Sequence, residues 1–331
     1  MGTRKKAGEN LKLQRSDLIR SIKQQFNYCI SKSTRLGQSK HSAKKAGTYK
    51  AGQLYGQKTV DAYRDTAQNF SNWLAQKCPE VKQVVDITPA HVQAWIDDRA
   101  GNWTTKTLEN HLTRIKYLEQ QAQRAYGIDK VHFYSKDITR PTTKEAVRTQ
   151  AMSREDFNRL QERMAGSRSF AKDALEITSR IGARVDEVAH LKREDIDLQA
   201  RTIYISPEGA KNGRARTVPI QEKDLPYFRD LMERHPSAGY LSQITAQSID
   251  KAIRRYMCDT KDKNGVPLSA KYPKQTEHAI RKMYATERMQ QERGPEPLAD
   301  RKEEMKHWDT VSHELGHGDG REALYKTYCK G

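Results

Sequence analysis

The spacing of large apolar residues between positions 58 and 127 restricts the fold more than any other feature of the chain. Val60, Tyr63, Ala67, Phe70 and Trp73 recur at the interval of one helix face. Thr88-Pro89 is a helix-opening pair, followed by Val92, Trp95 and Ile96; Leu108, Leu112, Ile115, Leu118 and Ala122 mark a third helix, stopped by Gly127. Each stripe needs a partner to cover it, so the three predict a helical unit with its own core. Lys106, Arg114, Lys116 and Arg124 lie along the third helix as candidate phosphate contacts, although spacing does not say which face they share.

Residues 1–50 are different. They hold thirteen Lys or Arg against Glu9 and Asp17. Leu11, Leu13, Leu18, Ile19, Ile22, Phe26 and Ile30 suit one amphipathic helix, after which Ser31 to Ala51 is polar and basic. The expectation is a basic arm over 1–50 that orders on DNA, with a flexible solubilising leader as the alternative.

Pro141, two threonines and several charges make 137–148 a linker, dividing a helical domain over 51–136 from a second domain over 149–331. Ser153-Arg-Glu-Asp156, a variant capping box, starts helices over 154–165 and 169–181. The period then changes. Ile196, Leu198, Ile203 and Ile205 precede Gly209-Ala-Lys211-Asn212-Gly213, and Val218 and Ile220 follow, so a hairpin is predicted with Lys211 at or beside its tight turn. Residues 224–258 read as helical, 259–275 as irregular, and Gly294-Pro-Glu-Pro297 as an excursion. The fold class is therefore mainly α: a helical domain joined to a mixed, mostly helical one with a small antiparallel sheet.

Charge narrows the partner. Sixty basic residues against 42 acidic ones leave a formal +18. With no apolar span or amphipathic anchor, that surplus favours nucleic acid over membrane. Cys29, Cys78, Cys258 and Cys329 are scattered, without a C-x-x-C pair, and read as reduced thiols; no apolar stretch follows the basic N-terminus, so a cytoplasmic, nucleoid-associated protein is expected.

The chemistry-bearing residues lie in the second domain. In Thr276-Glu-His278-Ala-Ile-Arg281 a helix would put His278 and Arg281 on one face, with Thr276 as its N-cap. Arg184 follows a glycine at a break between helices, with Glu187 placed to hold its guanidinium. His317, Tyr325 and Tyr328 lie near the end.

Taken in order, G-A-R-V-D-E with Arg184, G-A-K-N-G-R-A-R-T-V-P-I with Lys211, H-A-I-R with His278 and Arg281, L-G-H-G with His317 and a late tyrosine resemble the tyrosine recombinases, the phage-integrase group. The resemblance covers 150–331 and extends to 58–127, which is similar to the family's core-binding (SAM-like) domain. It implies a catalytic domain that clamps a DNA duplex together with that helical domain. It also implies a tyrosine that attacks a phosphodiester to form a covalent 3′-phosphotyrosyl link.

The residue types suit that chemistry. Paired guanidiniums at Arg184 and Arg281 stabilise charge on the phosphate oxygens; His278 and His317 add hydrogen bonds and move protons; Lys211 protonates the departing 5′ oxygen. A free tyrosine has a pKa of about 10, so the nucleophile needs positive charge beside it. Tyr325 follows His317 by eight residues and Tyr328 by eleven, one short of and two past the interval usual in the family. Tyr328 is preferred, because Lys-Thr-Tyr328-Cys resembles the segment around the family nucleophile, and Tyr325 stays open.

The implied partners are double-stranded attachment sites, three further copies of the chain on DNA, and DNA-bending host factors. No metal or other cofactor is expected. Relatives extend past this tyrosine in a tail that docks on a neighbouring subunit, an exchange not expected of the residues up to Gly331.

Other readings compete. A type IB topoisomerase uses the same chemistry on one duplex, and a DNA-binding relative without catalysis would need both tyrosines misplaced. His313-Glu314-Leu-Gly-His317 also matches the H-E-x-x-H pattern of zinc proteases. Against it, Ala323 stands where one such group has its third histidine, and Arg184, Lys211, His278 and Arg281 would have no task.

Overall fold

The computed structural model describes residues 21–141, 150–273 and 275–329. The chain divides between Ala146 and Val147 into two units.

The first unit is built on the three helical stripes. These fold as α3 (Gln57–Lys77), α4 (Pro89–Ala100) and α5 (Thr105–Tyr126), preceded by α1 (Ile22–Ser33) and a short α2 (Lys40–Lys45). Pro89 takes the first turn of α4, where its missing amide hydrogen costs nothing. Thr104 caps α5 by accepting a hydrogen bond from the Thr107 amide at 3.2 Å, and Gly127 ends that helix at a φ of 106°. Val60, Phe70, Trp95, Leu112 and Ile115 meet in one core.

The basic arm expected over 1–50 is corrected from Ile22 onward; residues 1–20 lie outside the described residues. Ile22, Phe26, Cys29 and Ile30 of α1 are buried in the same core as α3 and α5. The charges dominate the composition of this segment, but burying one apolar stripe decides its structure. The expected linker over 137–148 falls largely on residues 142–149, also outside the described residues.

The second unit opens with α6 (Arg154–Met164), α7 (Ala171–Ile181) and α8 (Val185–Ala189). Only half of the expected capping box forms: Ser153 accepts from the Asp156 amide at 3.2 Å, while the Asp156 carboxylate bonds to Tyr272 and Lys271 instead. β1 (Ile196–Asp197), β2 (Thr202–Ile205) and β3 (Arg216–Pro219) form an antiparallel sheet in sequence order, pairing Ile196 with Ile203 and Ile205 with Arg216. Ile203, Ile205 and Val218 point inward, while Tyr204 is exposed.

Asn-Gly does not form a tight two-residue turn between β2 and β3. The strands are joined by Ser206 to Ala215, and Asn212 takes a left-handed φ of 62° inside a 3-10 turn over Lys211–Gly213. Ladder pairing stops at Ile205 and Arg216, which leaves Lys211 exposed on a longer loop.

The expected helical stretch over 224–258 is two helices, α9 (Leu225–Arg234) and α10 (Ala246–Asp259), with Pro236 and Gly239 between them. A short α11 (Leu268–Lys271) precedes α12 (Glu277–Arg293), α13 (Arg301–Glu314) and α14 (Glu322–Cys329). One core joins α6, α7, α10 and the sheet to the start of α12; a second gathers Tyr284, Met289, Trp308, Leu315, Tyr325 and Tyr328.

If α1 is core rather than arm, Phe26→Ala should cost about 3–5 kcal/mol in urea unfolding, the usual penalty for truncating a buried phenylalanine. A detached arm would show almost no change.

Candidate active site

Arg184, Arg281, His317 and Tyr328 converge within the second unit from four different segments. Arg184 stands at the start of α8, where Gly182 has just ended α7 in the left-handed conformation at a φ of 60°. A side chain at Gly182 would run into Tyr284, 2.4 Å from the ideal Cβ position, so close helix packing as well as φ demands glycine. Arg281 lies one turn into α12 and is almost wholly buried. Its guanidinium donates to the carbonyls of Gly182 and Leu315, and its Nε lies 3.4 Å from the Tyr328 hydroxyl.

His317 joins the two arginines. Its Nε2 lies 2.9 Å from Arg184 Nη2 and 3.5 Å from Arg281 Nη2. Guanidiniums only donate, so Nε2 must be the lone-pair nitrogen and Nδ1 carries the proton. Burial, then the charges of Arg281 and Arg184, push the imidazole pKa down to about 3, leaving it neutral at physiological pH. Burial and the neighbouring Arg184 charge likewise lower Arg281 to about 10, which leaves it cationic.

Glu187 underlies this cluster. Its carboxylate accepts from the Arg184 backbone amide and from Arg184 Nη1, both at 2.8 Å. Arg216 adds a fork, Nη1 at 2.9 Å and Nη2 at 2.8 Å. Burial alone would raise this acid's pKa, but the hydrogen bonds and charge of Arg216, with the charges of Arg281 and Arg184, bring it down to about 2. Arg216 is the residue that sequence reasoning missed. It stands inside the quoted R-A-R-T-V-P-I, where its alternation with Val218 along β3 gives no hint of its partner.

The two tyrosines are separated by their surroundings. Tyr328 presents its hydroxyl to Arg281, and its ring meets His278 and His317 edge-on at centroid distances of 5.6 and 5.4 Å. Tyr325 donates instead to the Glu304 carboxylate, and burial together with that carboxylate pushes its phenol up to about 12.

His278 is exposed on the first turn of α12, beside Tyr328. The cap expected of Thr276 is not made: it occupies the N-cap position, but its side chain accepts no hydrogen bond from the helix. Lys211 is exposed on the β2–β3 loop, and its charge reaches His317.

In the first unit the four expected phosphate contacts do not form one stripe. Lys106 pairs with Glu109 at 2.8 Å, Arg114 turns to the Thr66 hydroxyl on α3, Lys116 lies over the Tyr134 ring, and Arg124 bonds to Gln121. Arg114 and Lys116 are two residues apart, about 200° around the helix.

The zinc-protease pattern fails on geometry. α13 ends at Glu314, so His317 lies beyond the helix and no longer shares a face with His313. Glu314 is locked by the Tyr284 hydroxyl at 2.6 Å and by Arg288, His313 pairs with Asp319, and His317 faces two guanidiniums that would repel a metal ion.

With this geometry in view, the sequence matches the family described as "Phage integrase family" over residues 150–298, and that described as "Phage integrase, N-terminal SAM-like domain" over residues 51–125. The chain belongs to the phage-integrase family, the tyrosine-type site-specific recombinases. The first match ends before His317 and Tyr328, whose placement here rests on the structure.

Solved structures share the fold. The XerH site-specific recombinase bound to palindromic difH substrate is 16% identical with a TM-score of 0.61, covering 93% of this chain and 90% of that one. The Tn1549 transposon integrase in complex with transposon right end DNA is 14% identical with a TM-score of 0.58, covering 93% and 94%. A lambda integrase dimer bound to a COC′ core site is 15% identical with a TM-score of 0.56, covering 87% and 92%. No curated protein sequence matches the chain.

The depressed pKa of His317 has a signed consequence for stability. Between its ordinary value of 6.5 and about 3 the unfolded chain binds the proton and the folded one does not, so stability falls as pH drops through this window. Glu187 adds a second loss from 4.5 down to about 2. Urea unfolding from pH 7 to 4.5 should show the first decline, and His317→Gln should flatten it. An equally steep decline in that variant would place the titrating group elsewhere.

Proposed function

We propose that this chain is a site-specific DNA recombinase, the integrase of a phage or other mobile element, that breaks and rejoins DNA through a covalent 3′-phosphotyrosyl intermediate at Tyr328. The observation that carries this reading is the Tyr328 hydroxyl lying against Arg281 while Arg281 and Arg184 both reach His317. A scissile phosphate beside these groups would meet fixed cationic donors and a nucleophile together.

In the proposed step the Tyr328 oxygen attacks phosphorus as its proton passes to the flanking His278, because the free lone pair of His317 already faces two guanidiniums. The bond from phosphorus to the 5′ oxygen breaks, and Lys211 gives that oxygen a proton. The phosphotyrosyl bond keeps the energy of the broken link, so a 5′ hydroxyl from a second duplex can reverse the attack and seal the new junction. Exchange of four strands then calls for four nucleophiles, hence four copies of the chain on two attachment sites. Tyr325 is unsuited to the role, since its hydroxyl is committed to a carboxylate that opposes phenolate formation.

The test is a nicked suicide duplex, on which cleavage frees a short strand and traps the protein. Tyr328→Phe should abolish the trapped complex while DNA binding persists, and Tyr325→Phe should still trap; the opposite pattern would reassign the nucleophile. Arg184→Ala should slow trapping by about 10²–10³-fold, as removal of one charge-stabilising donor does. Strand exchange between two duplexes separates a recombinase from an enzyme that only relaxes one.

A further inference from the structure

Arg216 makes no bond to any of the groups assigned a chemical step, yet it touches two of the segments that carry them and adjoins a third. Its two terminal nitrogens fork onto Glu187, which holds Arg184 by side chain and backbone. Its Nε donates to the Glu314 carbonyl at 2.7 Å, on the last residue of α13. Gly316 lies over the same guanidinium: a Cβ there would sit 3.0 Å from Arg216 Nη1, and the backbone is left-handed at a φ of 72°. The turn that delivers His317 is thus laid on Arg216, which itself begins β3 directly after the loop bearing Lys211.

Resting on the proposed cleavage reaction, we infer that Arg216 is a positioning residue that fixes Arg184 and His317 relative to each other, by clamping Glu187 and the end of α13 with one planar fork. The planarity matters. Five N–H donors leave a guanidinium in fixed, coplanar directions, so one side chain sets two distances at once; a lysine ammonium keeps the charge but cannot hold both partners in register. Glu187 has no unused acceptor geometry with which to compensate, because Arg184 and Arg216 take both oxygens. Arg216 is nearly buried, and its Nε and both terminal nitrogens reach the Glu314 carbonyl and the Glu187 carboxylate, whereas Arg184 and Arg281 reach His317 and Arg281 also meets the Tyr328 hydroxyl.

Three proteins on the suicide duplex test this: Arg216→Lys, Glu187→Gln and the double variant. Arg216→Lys should bind the duplex with a wild-type Kd and stay folded by circular dichroism, while its trapping rate falls about tenfold or more, the scale on which small misplacements act. The double variant should be no slower than the slower single one, since both act through the same carboxylate. The pH profile adds a readout that general loss of packing would not move: without its fork Glu187 should protonate at higher pH, so trapping by Arg216→Lys should begin to fall at a higher pH than in the wild type.

Wild-type trapping rates in Arg216→Lys, multiplying losses in the double variant, or an unfolded Arg216→Lys would each overturn the inference. If the wild-type protein itself forms no trapped complex, the recombinase reading fails instead.

Discussion

A single carboxylate with no solvent exposure, Glu187, makes the candidate site possible. Carboxylates at that depth ordinarily take up a proton, yet this one is held ionised by two forked or chelating arginines and a third nearby. The dependence runs both ways. Guanidiniums drawn together repel one another, and burial with the neighbouring Arg184 charge lowers the pKa of Arg281; the Glu187 anion works against that shift. Removing one member of such a buried set leaves its partner uncompensated, which typically costs about 3–5 kcal/mol. The cluster therefore behaves as one unit, and His317 stays a neutral imidazole because it is buried and because a second proton there would add a further cation.

How much of this could be read from the sequence depended on how local the cause was. The helices of the first unit were legible because apolar residues stand at helical spacing in a polar background and Pro89 and Gly127 mark their ends. Arg184, Arg281 and His317 were legible through the order of short motifs, each tied to a local break: a glycine, a helix start, a helix end. The apolar stripe of α1 was legible in Ile22, Phe26 and Ile30, but its place in the core was not, because the thirteen Lys or Arg of residues 1–50 pointed to an arm. Arg216 was hidden for a different reason. Nothing near it in sequence is its partner; Glu187 and the Glu314 carbonyl come from α8 and α13, and only the sheet's register turns the side chain toward them.

The tyrosine ambiguity has the same origin. Spacing from His317 offered two phenols at unfamiliar intervals, and neighbouring residues decided little. What separates them lies on other helices: Glu304 of α13 takes Tyr325, and Arg281 of α12 takes Tyr328. Glu314 tells a similar story, since an apparent metal-binding pattern becomes a buried ion pair once α13 is seen to stop beneath it.

α14 is a peg keyed at two heights. Tyr325 is pinned through its hydroxyl, and one turn later Thr286 grips the backbone carbonyl of Tyr328 at 3.1 Å. A slip of one residue about the helix axis, roughly 100° of azimuth, would undo both latches together. The residue at 328 is thus carried on a backbone whose azimuth is set twice, so a turn of α14 large enough to swing it away from Arg281 breaks both bonds.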